Sequence, residues 1–340
     1  MAYRDLARVV NTRPSAAEFA SGFCTRIKLE RGASRRRISY LLVEGPDDMS
    51  AIQKLTHQSC TVDWAGSKDH VIRALKSAAS GMDGRICPFD GIAGLVDRDL
   101  EHLAGDQPQS PRICSYQTCN DLESAVLYFR WHDVLESFVK RSALDTHLHW
   151  LSFDREESVV ARRVCAPIGL IRALHRSENR NYKAGQNHTT DKRMGDFFQY
   201  AEPILKPLCS EGYQESKPIS ETLDTLASVY LRQFENVFHL YRPTLLRNLQ
   251  SYEARLESQP WDFVRGKDVL DSLAYIIGSL PESDRIFPTD SFSSIKQRLS
   301  TTIVQLVDPI LLDETGILTQ FGRIKQLDRN EYEYFEQASP

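Results

Sequence analysis

Residues Ile38 to Val43 form a short, largely apolar run. It is entered from Arg35-Arg36-Arg37 and left through Glu44-Gly45-Pro46. A run of this length bounded by turn signals reads as a buried strand, and Pro46 suits the first turn of a following helix. From Asp47 to Leu55, Met49, Ile52 and Leu55 recur at helical spacing. Thr61–Trp64 reads as a second strand. Gly66-Ser67-Lys68-Asp69 then opens a helix whose apolar members are Val71, Ile72, Leu75 and Ala78. Gly91–Val96 is the next strand, ending in Asp97-Arg98-Asp99, and Ile113–Thr118 is another. Asn120 or Asp121 caps a helix running to about Val139, with Leu122, Val126, Phe129, Leu135 and Phe138 on its apolar side. Strands alternating with helices predict parallel βαβ units, which collect functional groups at the carboxyl ends of their strands. Beyond about Asp154 the period is helical, as in Val159–Leu174, Leu223–Val237 and Val269–Leu280. Segment 176–193 is polar and reads as an exposed basic loop carrying Arg176, Arg180, Lys183, Lys192 and Arg193. The expected organisation is a basic segment over 1–37, an α/β domain over 38–150 and a mostly α-helical region over 151–340.

Charge sharpens this picture. Residues 1–37 carry nine Lys/Arg against Asp5, Glu18 and Glu30. That segment is +6, leaving −10 for the rest of a 340-residue chain whose net charge is −4. A basic arm on an acidic body suits a phosphate-rich partner, and equally a solvated surface or a charge-matched protein contact. Seven cysteines without a CxxC pair suggest reduced thiols in a cytoplasmic protein, with Cys114 and Cys119 buried. No apolar stretch approaches the ~20 residues of a membrane span, and the first residues lack the apolar core of a secretory signal.

The candidate chemistry is acidic. Glu44 follows a strand and precedes a glycine that permits close ligand approach. Asp47 and Asp48 follow at the mouth of a helix, where the dipole favours negative charge. Asp97 and Asp99 are separated by one residue, so on extended backbone they project to one side. Such hard oxygen donors suit Mg²⁺ or Mn²⁺. His147 and His149 alternate on an expected strand, with no third metal ligand nearby in sequence. His188 lies in the polar loop. There is no G-x-S-x-G nucleophile turn and no GxxxxGK[ST] phosphate loop, so the chain is not expected to hydrolyse ATP itself.

Val43-Glu44-Gly45-Pro46-Asp47-Asp48 resembles the VEGxDD opening of TOPRIM domains, and Val96-Asp97-Arg98-Asp99 resembles their DxD element. The chain is similar to the TOPRIM-like, OLD-related bacterial anti-phage defence effectors, including those of PARIS-type systems. Three further stretches join the resemblance: Gly66-Ser67-Lys68-Asp69, Cys119-Asn120-Asp121-Leu122-Glu123 and Arg265-Gly266-Lys267-Asp268-Val269-Leu270. The resemblance covers about residues 38–130 and is loose beyond. It implies a Rossmann-like TOPRIM sheet with flanking helices. It also implies a Mg²⁺-dependent (or Mn²⁺-dependent) endonuclease acting on RNA, tRNA included, or DNA. Glu44, Asp97 and Asp99 would be catalytic and metal-binding, Glu123 a fourth ligand, Asp48 an additional acid, and Lys68 and Lys267 phosphate contacts. The implied partners are nucleic acid, a separate ABC-type ATPase chain that restrains the effector, and a second copy in an active homodimer. The alternative is a non-catalytic TOPRIM-like module that dimerises or docks to an ATPase.

Overall fold

The computed structural model describes residues 14–33, 37–80, 90–98, 110–117, 119–152, 157–186, 194, 196–213, 217–329 and 331–336. The chain divides into two compact units. The first comprises residues 1–97, 108–116 and 307–340, and the second 98–107 and 117–306. The division therefore falls elsewhere than at the expected boundaries of 37 and 150. It cuts the chain directly after Asp97, and the C-terminal segment returns to the first unit.

The first unit is built on a parallel sheet of β1 (Ser39–Val43), β2 (Cys60–Trp64), β3 (Ile92–Val96) and β4 (Ile113–Ser115), in the order β2-β1-β3-β4. The central strands β1 and β3 are buried along their whole length. That is why they read as nearly continuous apolar runs rather than alternating ones. Helix α1 (Ala16–Ala33), the connecting helix α2 (Pro46–Gln53) and α3 (Lys68–Ser80) flank them. Ala20, Phe23, Cys24 and Ile27 of α1 pack with Val71, Ala74, Leu75 and Ala78 of α3 over Tyr40, Leu42, Ile92 and Val96 of the sheet. Each large side chain buried there contributes about 1.5–3 kcal/mol. Gly94 lets α3 lie close, since a Cβ at that position would stand 2.6 Å from Val71 Cγ1.

The basic N-terminal segment is thus a packed helix over residues 16–33. Arg26 pairs with Asp63 and Glu30, and Arg31 donates to the carbonyls of Ile38 and Asp90 at 3.1 and 2.6 Å. Arg37 pairs with Glu331 at 2.9 Å. These contacts tie Arg26, Arg31 and Arg37 to the fold of the unit. Arg4, Arg8, Arg13, Arg35 and Arg36 lie outside the described residues.

The C-terminal segment contacts the edge strand β4 and the turn that precedes β2. The Gln320 side chain, on the helix Ile317–Leu327, accepts from Ser115 N–H at 3.1 Å and donates to Ser115 O at 2.7 Å. A side-chain amide thereby covers the open edge of β4, where an unpaired strand invites association. Residues 334–336 bond to His57 N–H and Leu55 O at 3.1 Å each. Beneath the sheet, buried Asp328 accepts from Arg112, from Gly91 N–H at 3.0 Å and from Tyr334 Oη–H at 2.9 Å.

The second unit is helical. Its first long-range fixture is Asp121, the N-cap of α4 (Leu122–Phe129). Its carboxylate accepts Ser124 N–H at 2.8 Å and Gly266 N–H at 3.0 Å, so it serves the first turns of α4 and of the helix Gly266–Ser279 together. Three expectations are corrected here. The helix expected from 121 to 139 breaks at Arg130 into α4 and a second helix, Trp131–Glu136, because Arg130 leaves helical geometry at φ −128° and ψ 31°. Residues 176–186, expected as loop, continue the helix Ala166–Gln186. Arg176, Ser177, Arg180 and Asn181 are exposed on it, and 187–193, including His188, lie outside the described residues. His149 is not in a strand but opens a 3₁₀ turn, His149–Ser152. His147 is held by Asp284 at 2.8 Å, a ring–carboxylate pair rather than a metal site. Among the described residues no helix is long and apolar enough to cross a membrane.

Candidate functional site

The strand order fixes where a site belongs in the first unit. The chain steps from β1 outward to β2, then crosses back over β1 to β3 and onward to β4. The direction therefore reverses between β1 and β3. In open parallel sheets ligands bind outside the carboxyl ends of the strands at such a reversal, because the loops there part to opposite faces and leave a crevice. Glu44 is the residue after β1, and Asp97 the residue after β3.

The two are joined. Glu44 Oε1 accepts the Asp97 backbone N–H at 2.8 Å. Gly66, at φ +95°, donates its N–H to Glu44 O at 3.0 Å, and Ala65 N–H bonds Val43 O at 2.8 Å. The left-handed Gly66 thereby turns the chain after β2 back over the end of β1. Lys68 then begins α3, and its Nζ donates to Asp97 O at 2.6 Å. A cation in the first turn opposes the helix dipole by about 0.3–1 kcal/mol, which the charge-assisted bond to the carbonyl offsets. Glu44, Asp97 and Lys68 are all half-buried. Three segments distant in sequence thus bring Glu44, Asp97 and Lys68 together at the carboxyl end of the sheet.

The other expected site residues divide as follows. Asp48 accepts Gly45 N–H at 2.9 Å, so its carboxylate ties down the first turn of α2. Asp99 lies outside the described residues. Glu123 is half-buried in the first turn of α4, and Lys267 is exposed in the first turn of the helix Gly266–Ser279. Both belong to the second unit, where a Cβ on Gly266 would stand 2.3 Å from Glu123 Cβ. Arg98 donates its N–H to Asn120 O and its Nη1 to Gln117 O, both at 2.7 Å, and burial pulls its pKa down against the opposing charge of Asp262. Burial raises the thiols of Cys114 and Cys119 well above their ordinary range, which makes them inert core groups.

The donor set at the sheet edge is carboxylate oxygen, which fits Mg²⁺ or Mn²⁺ rather than a softer ion. The Asp97 N–H bond orients Glu44 in the way that ligand carboxylates are held by their surroundings. Among the described residues no group of three or more His, Cys, Asp or Glu side chains gathers as a metal cluster. Sequence inspection missed Gly66 and Trp64 as neighbours of this edge. Glycine and strand-end tryptophan are ordinary in sequence, and only the pairing of β2 with β1 brings them beside Glu44. No family model, curated protein or solved structure matches the chain.

Proposed function

We propose that the chain is a divalent-metal-dependent, TOPRIM-type endonuclease that cuts phosphodiesters in RNA or DNA. The observation that carries this reading is the joining of Glu44 and Asp97 at the reversal point of the sheet, with Lys68 against Asp97. In this reading Glu44 and Asp97 would hold the ion; the roles of Asp99 and Glu123 as further ligands rest on the motif resemblance alone. The bound ion supplies charge stabilisation at the scissile phosphate. Glu44, fixed by the Asp97 N–H, is oriented to hold a proton or a ligand at its carboxylate. Lys68 contributes positive charge for a phosphate oxygen. Lys267 is a second candidate phosphate contact. Control by a separate ABC-type ATPase, action as a homodimer and a role in anti-phage defence rest on the motif resemblance alone.

The test is cleavage of mixed single- and double-stranded RNA and DNA, tRNA included, by purified protein in Mg²⁺ or Mn²⁺, beside Glu44→Ala and Asp97→Ala. Products from wild type that both variants fail to make support the reading. Equal cutting by all three overturns it. Calorimetric titration with Mn²⁺ adds a readout independent of turnover: binding should weaken at least tenfold in either variant. No Mn²⁺ binding by the wild type would favour the non-catalytic docking module.

A further inference from the structure

Trp64 is the last residue of β2 and pairs in register with Val43, one residue before Glu44. It is 41% exposed, whereas Val62, its neighbour on the same face of the strand, is 8% exposed. Trp131, Trp150 and Trp261 are all buried. Trp64 is therefore the one exposed tryptophan of the four in the chain. Exposed Leu29, Tyr241, Ile286, Phe292, Ile310 and Leu327 all lie outside the sheet. Its surroundings are also set. Asp63, the preceding residue, is engaged by Arg26, and two residues on, Gly66 N–H is bonded to Glu44 O. Lys68 follows across the same turn.

We infer that Trp64 is a stacking platform for an unstacked nucleobase of a single-stranded nucleic acid held at the Glu44–Asp97 edge. A nucleotide is a π-face joined to a phosphate. The turn from Trp64 to Lys68 carries an exposed indole one register position from Glu44 and an ammonium bonded to Asp97 O. Base–aromatic stacking tolerates any base, since every base has a π-face, so the platform positions the strand without reading its sequence. This inference rests on the phosphodiester reading above and deepens it.

The experiment uses the full chain in EDTA, so that nothing is cut. It is titrated with a short oligouridylate and, separately, a matched oligodeoxythymidylate, each carrying a terminal fluorophore. Tryptophan emission and oligonucleotide anisotropy are followed together. Wild type should show saturable quenching that tracks the anisotropy. Trp64→Ala should bind about 5- to 150-fold more weakly, the range of a lost stacking contact. Trp64→Phe should bind within a few-fold of wild type without quenching, because the remaining tryptophans are buried. A quenched RNA arm with a silent DNA arm, or the reverse, identifies the strand accepted. Binding without quenching, with Trp64→Ala equal to wild type, overturns the platform and leaves the phosphodiester reading standing. Absence of binding by either strand also overturns the platform, while that reading is judged separately by the cleavage assay. Emission that falls with protein concentration alone, together with a doubled sedimenting mass lost in Trp64→Ala, makes the residue a contact between copies and likewise overturns it.

Discussion

Replacing Asp328 by alanine should be among the most damaging single changes in the first unit. The Asp328 side chain is fully buried, and its carboxylate meets Arg112, whose side chain is 7% exposed. It also accepts from Gly91 N–H and Tyr334 Oη–H. Removing one member of a buried ion pair costs about 3–5 kcal/mol, because the other charge is left in a poor solvent. Two more donors lose their acceptor at the same time. Arg112 keeps weaker partners, Asp90 Oδ1 and Ile92 O at 3.3 Å among them, which holds the expected loss at ~4 kcal/mol rather than the full sum. Arg112→Met should cost less, about 2–3 kcal/mol, since Gly91 and Tyr334 still solvate the carboxylate. The double change Arg112→Met with Asp328→Leu should be milder than the two single costs added, because no charge remains buried. Hydrogen exchange in rising urea, read by mass spectrometry on peptides covering 37–43, 92–96 and 331–336, measures the unit itself rather than the whole chain. A loss under about 1 kcal/mol for Asp328→Ala, or strict additivity in the double variant, would refute the reasoning.

Asp48→Ala removes the acceptor of Gly45 N–H at the start of α2 and should lower stability by about 1 kcal/mol; thermal melting checks this, and Mn²⁺ affinity should stay within twofold of wild type. Gly94→Val forces a side chain against Val71 Cγ1 and Leu75 Cδ1 at 2.6–2.9 Å; a loss of about 1–3 kcal/mol is expected from overpacking, seen as a lower urea midpoint. The Tyr334 hydroxyl is pushed far above its ordinary pKa of about 10, first by burial and then by Asp328. The unfolded chain therefore gives up this proton near pH 10 while the folded chain keeps it. Stability contributed by Tyr334 is fully present below pH 10 and falls above it by about 1.4 kcal/mol per pH unit. Urea midpoints from pH 9 to 11 should fall less steeply in Tyr334→Phe than in wild type; equal slopes would remove Tyr334 from the account.

Much of the first unit was legible because its signals are local. Ile38–Val43 and Gly91–Val96 are apolar runs too short for helices, and they are the two strands buried on both faces. Val71, Leu75 and Ala78 recur at helical spacing, and they face the core. Glu44 and Asp97 could be marked as strand-end acids by the same means. Less was legible where the outcome depends on a neighbour distant in sequence. The polar run 176–186 has no strong apolar face in its own sequence, yet it continues a helix whose earlier turns are buried. Nothing near Arg26 and Arg31 in sequence marks Asp63 or the carbonyls of Ile38 and Asp90 as their partners.

The sequence by itself determined the strands and helices around the candidate site and the chemistry of its acids, because apolar periodicity and side-chain type are properties of adjacent residues. Only the tertiary structure decided that β1 and β3 are neighbours at the reversal of the sheet. It alone joined Glu44 to the Asp97 N–H, set Lys68 against Asp97 O and left Trp64 exposed beside them. It also set Gln320 on the edge of β4 and placed Asp328 against Arg112. The physical reason is one of distance along the chain. Strand order and buried ion pairs arise from contacts between segments tens to hundreds of residues apart, and the pattern within any one segment carries no record of which partner it will meet.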